Sequence, residues 1–137
     1  MADHDAVMAL YRALSSDPRL PEGAAAEAQL VAILDHPGTL LFGSVDGGEV
    51  RAMCTLHILP NMTRGARPYA LIENVVTAPG HRRKGHARRA MQAAIGAAWQ
   101  ADCYKVMLLS GSEDGRGFYP TLGFDGTAKQ GFVLRRP

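Results

Sequence analysis

The sequence predicts a mixed α/β fold, a twisted sheet flanked by helices, and three observations carry that reading. Two strand-like apolar runs flank Asp46-Gly47-Gly48, the pattern of a β-hairpin. A third run, Tyr69–Thr77, leads through a basic turn and an amphipathic helix to another short apolar run at 104–110, which makes a βαβ unit. The 137 residues, 47% hydrophobic and 20% charged, are one domain's worth, so residues 1–137 are expected to form a single domain with its own core.

The elements follow in order. Residues 3–15 place Val7, Leu10, Tyr11 and Leu14 on one helical face, and Ala26, Leu30, Ile33 and Leu34 do the same for a helix over 22–34. Asp17-Pro18 and Leu20-Pro21 break the chain between them. The hairpin strands span 39–45 and 50–59, and 60–68 is a loop carrying Arg64 and Arg67. Pro79-Gly80 closes the third strand. From Ala87 on, Ala90, Met91, Ala94, Ile95, Ala98 and Trp99 keep the 3.6-residue period of a helix that covers a sheet. A short helix over 113–122 and terminal strands at Phe124 and 130–135 complete the expectation. No repeat, low-complexity tract or linker interrupts the chain.

Several function classes are excluded or disfavoured. No apolar run approaches the roughly 20 residues that cross a bilayer, and Met1-Ala2-Asp3-His4-Asp5 is acidic where a secretory signal is basic, so a soluble, cytoplasmic protein without a membrane partner is expected. Cys54 and Cys103 are too few for a disulfide framework and lack ligand spacing, and the five histidines show no metal-ligating pair on one face, so no metal is expected. The net charge of +2 is unevenly spread. Residues 81–89 hold five cations and no acid, leaving ten cations against thirteen acids, or −3, elsewhere. One compact cluster without interleaved aromatics suits a small polyanion better than a nucleic acid.

That cluster opens a helix, where unpaired N–H groups and a partial positive charge ordinarily attract Ser, Thr, Asp or Glu. Here no capping side chain and no acid stand between His81 and Arg89, an arrangement that makes sense if an external anion supplies the acceptors, with Gly85 allowing close approach. A solvated basic helix end is the alternative. The P-loop and the dinucleotide fingerprint are both absent. What stands there is Arg82-Arg83-Lys84-Gly85-His86-Ala87, of the form Arg/Gln-x-x-Gly-x-Gly/Ala.

Together with Ile72-Glu73-Asn74-Val75-Val76 before it, the amphipathic helix after it and Phe118-Tyr119-Pro120-Thr121-Leu122-Gly123-Phe124, this hexapeptide resembles the GNAT superfamily of acyl-CoA N-acyltransferases. Within it the chain looks most like the glucosamine 6-phosphate N-acetyltransferase branch, although Gly115 stands where that branch commonly has Asn. The resemblance implies a mostly antiparallel sheet and a βαβ core that binds acetyl-CoA. Backbone amides of Arg82, Arg83, Lys84, Gly85, His86 and Ala87 would hold the pyrophosphate, and Val75, Val76 and Thr77 would pair with pantetheine as an extra strand. Arg88 and Arg89 are left as solvated cations.

The implied reaction is acetyl transfer to the primary amine of a small molecule by direct attack. Glu73 is the candidate base, acting directly or through water, or else an ion-paired or substrate-orienting carboxylate. Tyr119 takes the position of the hydroxyl that protonates the coenzyme A thiolate, or else packs beside Phe118 and Phe124. His57, Arg64 and Arg67 are substrate-side candidates that surface hydrogen bonding and solubility explain as well. A non-catalytic acyl-CoA sensor of the same fold is the alternative function. Family members usually open with a strand for which this sequence shows no counterpart; either the start is misassigned and the protein is longer, or the strand beginning at Thr39 is left as an exposed edge, which predicts a homodimer.

Overall fold

The computed structural model describes residues 3–137, which divide into two units, the first ending at Met107 and the second spanning Leu108–Pro137. Met1 and Ala2, part of the opening segment from which the missing strand was inferred, lie outside the described residues. The first unit runs α1 (His4–Leu14), α2 (Gly23–Asp35), β1 (Thr39–Asp46), β2 (Glu49–Leu59), a single turn α3 (Thr63–Ala66), β3 (Tyr69–Thr77), α4 (His86–Gln100) and β4 (Val106–Met107). The sheet order is β1-β2-β3-β4, antiparallel at the first two junctions and parallel at the third. The predicted hairpin closes through Gly47 and Gly48, at φ 60 and 79, the left-handed pair that a two-residue turn between twisted strands demands.

Two neighbouring residues of β2 show the layering. Cys54 Sγ donates to the Ala90 carbonyl of α4, while the Tyr11 hydroxyl of α1 bonds Thr55. Successive strand residues point to opposite faces, so α4 and α1 cover opposite faces of the sheet. On the α4 face lie Ala90, Met91, Ala94 and Ala98, all buried. On the other, Leu10, Met53 and Val76 form a cluster packed by Val7, Tyr11, Leu41 and Val50. Burial of Leu10, Met53, Val76 and Met91 contributes about 1.5–3 kcal/mol each relative to exposure, and each alanine less.

Four expectations need correction. Helix α4 begins at His86, and residues 81–85 form the turn before it rather than its first turn. Trp99, assigned to the covering face, is 54% exposed, because a period of 3.6 carries position 99 well off the stripe begun at Met91. The strand expected over 104–110 shrinks to Val106–Met107, since only Ala70 and Leu71 of β3 offer it partners. Residues 130–135 form no strand. Among the described residues the second unit contains no strand, so Phe132, Val133 and Leu134 have strand propensity but no ladder within it, and are 83%, 61% and 99% exposed.

The second unit consists of α5 (Glu113–Phe118) and a 3₁₀ turn, Tyr119–Leu122. Ser112 caps α5 by accepting from the Gly115 N–H at 3.0 Å, and Gly123 at φ 99 ends the turn. Gly115 also explains the departure from Asn at that position. A Cβ there would collide with Ser110 Oγ and come within 2.9 Å of Ser112 Oγ and 3.0 Å of Tyr119.

Candidate functional site

The site begins with an irregularity in β3. Thr55 stands opposite Glu73 and Met53 opposite Val76, so two steps on β2 match three on β3. The extra residue is taken up around Asn74, whose φ of 54 is one that Asn tolerates better than most residues. Before this bulge the Ala70 N–H donates to Lys105 O toward β4 at 3.0 Å; after it the Ala78 N–H donates to Arg51 O on β2 at 2.7 Å. By alternation Val76 belongs to the β2 ladder, and the N–H groups of Val75 and Thr77 face the edge where β4 has ended. Val75 and Thr77 therefore present backbone groups that no strand of the first unit pairs.

This open edge runs into the basic turn. The His81 N–H donates to Ala78 O at 3.0 Å, Gly80 follows φ 84, and Arg83 and Gly85 take φ 62 and 83 on either side of Lys84. Negative and positive φ alternate over residues 82–85, the backbone pattern of a nest, a turn whose successive N–H groups suit an anion in other proteins. Gly85 is the N-cap of α4, without a capping side chain and with no acid in the first turn. The first helical bond runs from the Arg89 N–H to Gly85 O at 3.1 Å, so the amides of His86 and Ala87 precede the helical ladder. Arg82, Arg83 and Lys84 are exposed around them.

The His86 ring does not join its amide. It is buried, 3% exposed, and lies against β1 with Nδ1 2.9 Å from Ser44 Oγ and 2.7 Å from Arg89 Nη2. Burial first, then the Arg89 charge, lowers its pKa, opposed by Asp46. Arg89, expected to be solvated, is fastened on two sides, since its Nε also donates to Ser44 Oγ at 3.1 Å. Asp46, His81 and His86 bring one ligand-capable atom each to within 4.8 Å of one another, a grouping that sequence spacing missed because the chain turns between the two histidines.

Glu73 is exposed, on the face of the sheet that Thr55 and Tyr11 share, and among the described residues its carboxylate has no ion-pair partner. Tyr11 also lines an apolar cavity of about 140 Å³ with Met8, Leu20, Leu30 and Ile33, a space sequence reasoning located only as the region of the N-terminal helices. Tyr119 sits half-buried in the 3₁₀ turn of the second unit, its ring 6.0 Å from Phe124 edge-on and 5.2 Å from Phe118. His57 Nδ1 is 3.0 Å from Thr39 Oγ1, which His36 Nδ1 meets from its other side at 2.8 Å, so His57 is part of a structural chain. Arg67 pairs with Asp102 at 3.2 Å, and Arg64 lies 5.4 Å from the centre of the Tyr104 ring; both tie their loop to the segment before β4.

Comparison with known proteins bears on the whole arrangement. Over 92 residues, 67% of this chain and 62% of the relative, the sequence is 34% identical to glucosamine 6-phosphate N-acetyltransferase of Trypanosoma brucei brucei. A solved protein of Agrobacterium tumefaciens str. C58, assigned as an acetyltransferase, superposes with a TM-score of 0.90 at 42% identity, covering 98% of this chain and 94% of that one. A Trypanosoma brucei acetyltransferase gives 0.80 at 27%, covering 97% and 93%. Residues 4–124, which include the bulged strand, the nest and the 3₁₀ turn, match the acetyltransferase (GNAT) family, and the chain belongs to that family.

Proposed function

We propose that this protein transfers the acetyl group of acetyl-CoA to a primary amine of a small molecule by direct attack on the thioester. One observation carries the reading: an uncapped, acid-free helix start preceded by alternating left-handed residues, continuous with a bulged strand edge that exposes Val75 and Thr77. Members of the family bind acetyl-CoA, and both halves of this surface fit that molecule. The nest suits a diphosphate, with amides of residues 82–87 as donors and Arg82, Arg83 and Lys84 neutralising charge. The open edge suits an amide-bearing pantetheine arm, added as a strand alongside Val75, Val76 and Thr77.

The chemistry then needs three things. The attacking nitrogen must lose a proton, and Glu73 accepts it, directly or through water. Charge that develops on the carbonyl oxygen is held by an edge N–H beyond the bulge. As the C–S bond breaks, Tyr119 gives its proton to the leaving thiolate, a role assigned by its place in Phe118-Tyr119-Pro120-Thr121-Leu122-Gly123-Phe124. The products are an amide and the free thiol. Tyr11, which lines the apolar cavity, bonds Thr55, and Thr55 stands opposite Glu73, which favours that cavity as the acceptor's entrance.

Calorimetry with coenzyme A, followed by thiol release across a panel of amino sugars, polyamines and amino acids, tests the reading. Heat of binding and thiol release with at least one amine support it. Binding without release by any amine identifies a sensor, and no binding removes the assignment. The reading also places the protein in the cytoplasm as a single-domain homodimer joined through the outer strand β1; light scattering that shows a monomer at micromolar concentration overturns the dimer.

A further inference from the structure

Arg89 meets its neighbours with one particular edge. Nε donates to Ser44 Oγ at 3.1 Å and Nη2 donates to His86 Nδ1 at 2.7 Å, two acceptors themselves 2.9 Å apart. That side-on edge of the fork is thus fully engaged by β1 and the first turn of α4. The remaining terminal nitrogen, Nη1, lies beside Gly85: a Cβ built on Gly85 would be 3.2 Å from it. An exposed guanidinium fastened in this way is pre-oriented rather than solvated, and less side-chain freedom is lost when it meets a ligand.

An arginine has no acceptor, so His86 Nδ1 is the lone-pair nitrogen and Nε2 carries the proton. Nε2 faces Asp46 Oδ2 at 3.9 Å, with His81 beside it at 6.3 Å between ring centres. This fixed tautomer argues against reading Asp46, His81 and His86 as a metal site. An ion on Nε2 would move the proton to Nδ1, directly against the Arg89 N–H, with the positive charges of Arg89 and Lys84 close by.

We propose that Arg89 is a diphosphate-contacting residue of the coenzyme site, that Ser44 and His86 are its positioning residues, and that its Nη1 meets the anion held over Gly85. The inference rests on the acetyl-CoA reading above. Nη1 supplies two N–H donors and a full charge next to backbone amides that carry only partial charge, which makes the contact charge-assisted. His86 must stay neutral to hold the arginine, and the groups that face it are Arg89 and Lys84 on one side and Asp46, His81 and Ser44 on the other. Protonation of the ring releases Arg89.

Dissociation constants for dephospho-coenzyme A, coenzyme A and pantetheine, measured by calorimetry, test the assignment. Arg89→Gln weakens both diphosphate-bearing ligands about tenfold and leaves pantetheine unchanged. His86→Asn, which keeps an acceptor near the position of Nδ1, retains affinity, whereas His86→Gln, whose amide reaches toward Nε2 instead, loses it as Arg89→Gln does. Wild-type affinity for dephospho-coenzyme A falls as pH drops through the lowered pKa of the His86 ring, and His86→Asn removes that slope. If wild type binds and Arg89→Gln binds dephospho-coenzyme A equally well, this inference alone falls. Loss confined to coenzyme A moves the contact to the 3′-phosphate and overturns the assignment. If wild type binds no coenzyme, the acetyl-CoA reading falls and takes this one with it.

Discussion

Replacing Gly85 by Ala separates the shape of the turn from its charge. Gly85 sits at φ 83, where an L side chain costs about 1 kcal/mol. The new Cβ also falls 3.2 Å from Arg89 Nη1. Because that atom ends a flexible side chain, the arginine gives by a few tenths of an ångström, which weakens its bonds to Ser44 and His86. The added loss brings the total to roughly 1–2 kcal/mol, a fall in Tm of about 3–6 °C. Differential scanning calorimetry measures that part. Affinity for dephospho-coenzyme A falls about tenfold in the wild-type background, but much less when Gly85→Ala is added to Arg89→Gln, where the arginine contact is already gone. An unchanged Tm would refute the backbone argument. Full additivity in the four-protein cycle would show that Gly85 and Arg89 act independently.

Other outcomes follow from the same geometry. Tyr119→Phe lowers kcat with little change in the KM for acetyl-CoA, since packing against Phe118 and Phe124 is kept and only the proton donor is lost; unaltered turnover returns Tyr119 to an aromatic packing role. Glu73→Gln lowers kcat about 10²-fold near neutral pH, read as thiol release, and an equal rate removes the base. Burial, reinforced by Arg89, lowers the pKa of His86 below 6.5, so as pH falls below 6.5 the unfolded chain takes up a proton that the folded chain refuses. Stability from the neutral ring is complete above that value and declines from there toward the lowered pKa. Urea melts at pH 7.5 and 5.5 show a smaller loss for His86→Asn than for wild type, and parallel losses contradict the assignment. Burial also pushes the Cys54 thiol up to about 12, so native protein leaves it unmodified by maleimide at pH 7 while denatured protein does not.

What could be read from the sequence was whatever is local and periodic. The sequence bounds β3 to the residue, and the apolar stripe from Ala87 to Trp99 lies within one residue of either end of α4, because apolar runs, breakers and a 3.6-residue stripe are properties of consecutive positions. The uncapped, acid-free helix start was equally legible, since it consists of residue types that are missing from nine adjacent places. What required the fold were contacts across the chain. Nothing near Arg89 announces that Ser44, 45 residues earlier, waits for its Nε, and nothing around His86 shows that its ring turns to β1 while its amide stays at the helix start. The terminal strands failed for the complementary reason: Phe132, Val133 and Leu134 carry the propensity, but a strand is a pairing, and propensity does not supply a partner.

Asn74 shows how a single residue joins these levels. A strand of nine residues that contains one Asn, a poor strand former, reads at first as a mild imperfection. In the fold it is where the ladder gains a residue, and two consequences follow from that count alone. Glu73 and Val76, three apart, come to share the α1 face, so Glu73 stands opposite Thr55 on that face while Val76 packs into the core with Leu10 and Met53. The alternation of N–H groups reverses, which transfers Val75 and Thr77 from the β2 ladder to the open edge. Independently, β4 stops pairing at Leu71, short of the bulge, so that it gives Val75 and Thr77 no ladder partner. A flat strand at 72–77 would turn Val76 away from the Glu73 face and return Val75 and Thr77 to β2, and no change of side chain in the basic turn would restore the slot that leads to it.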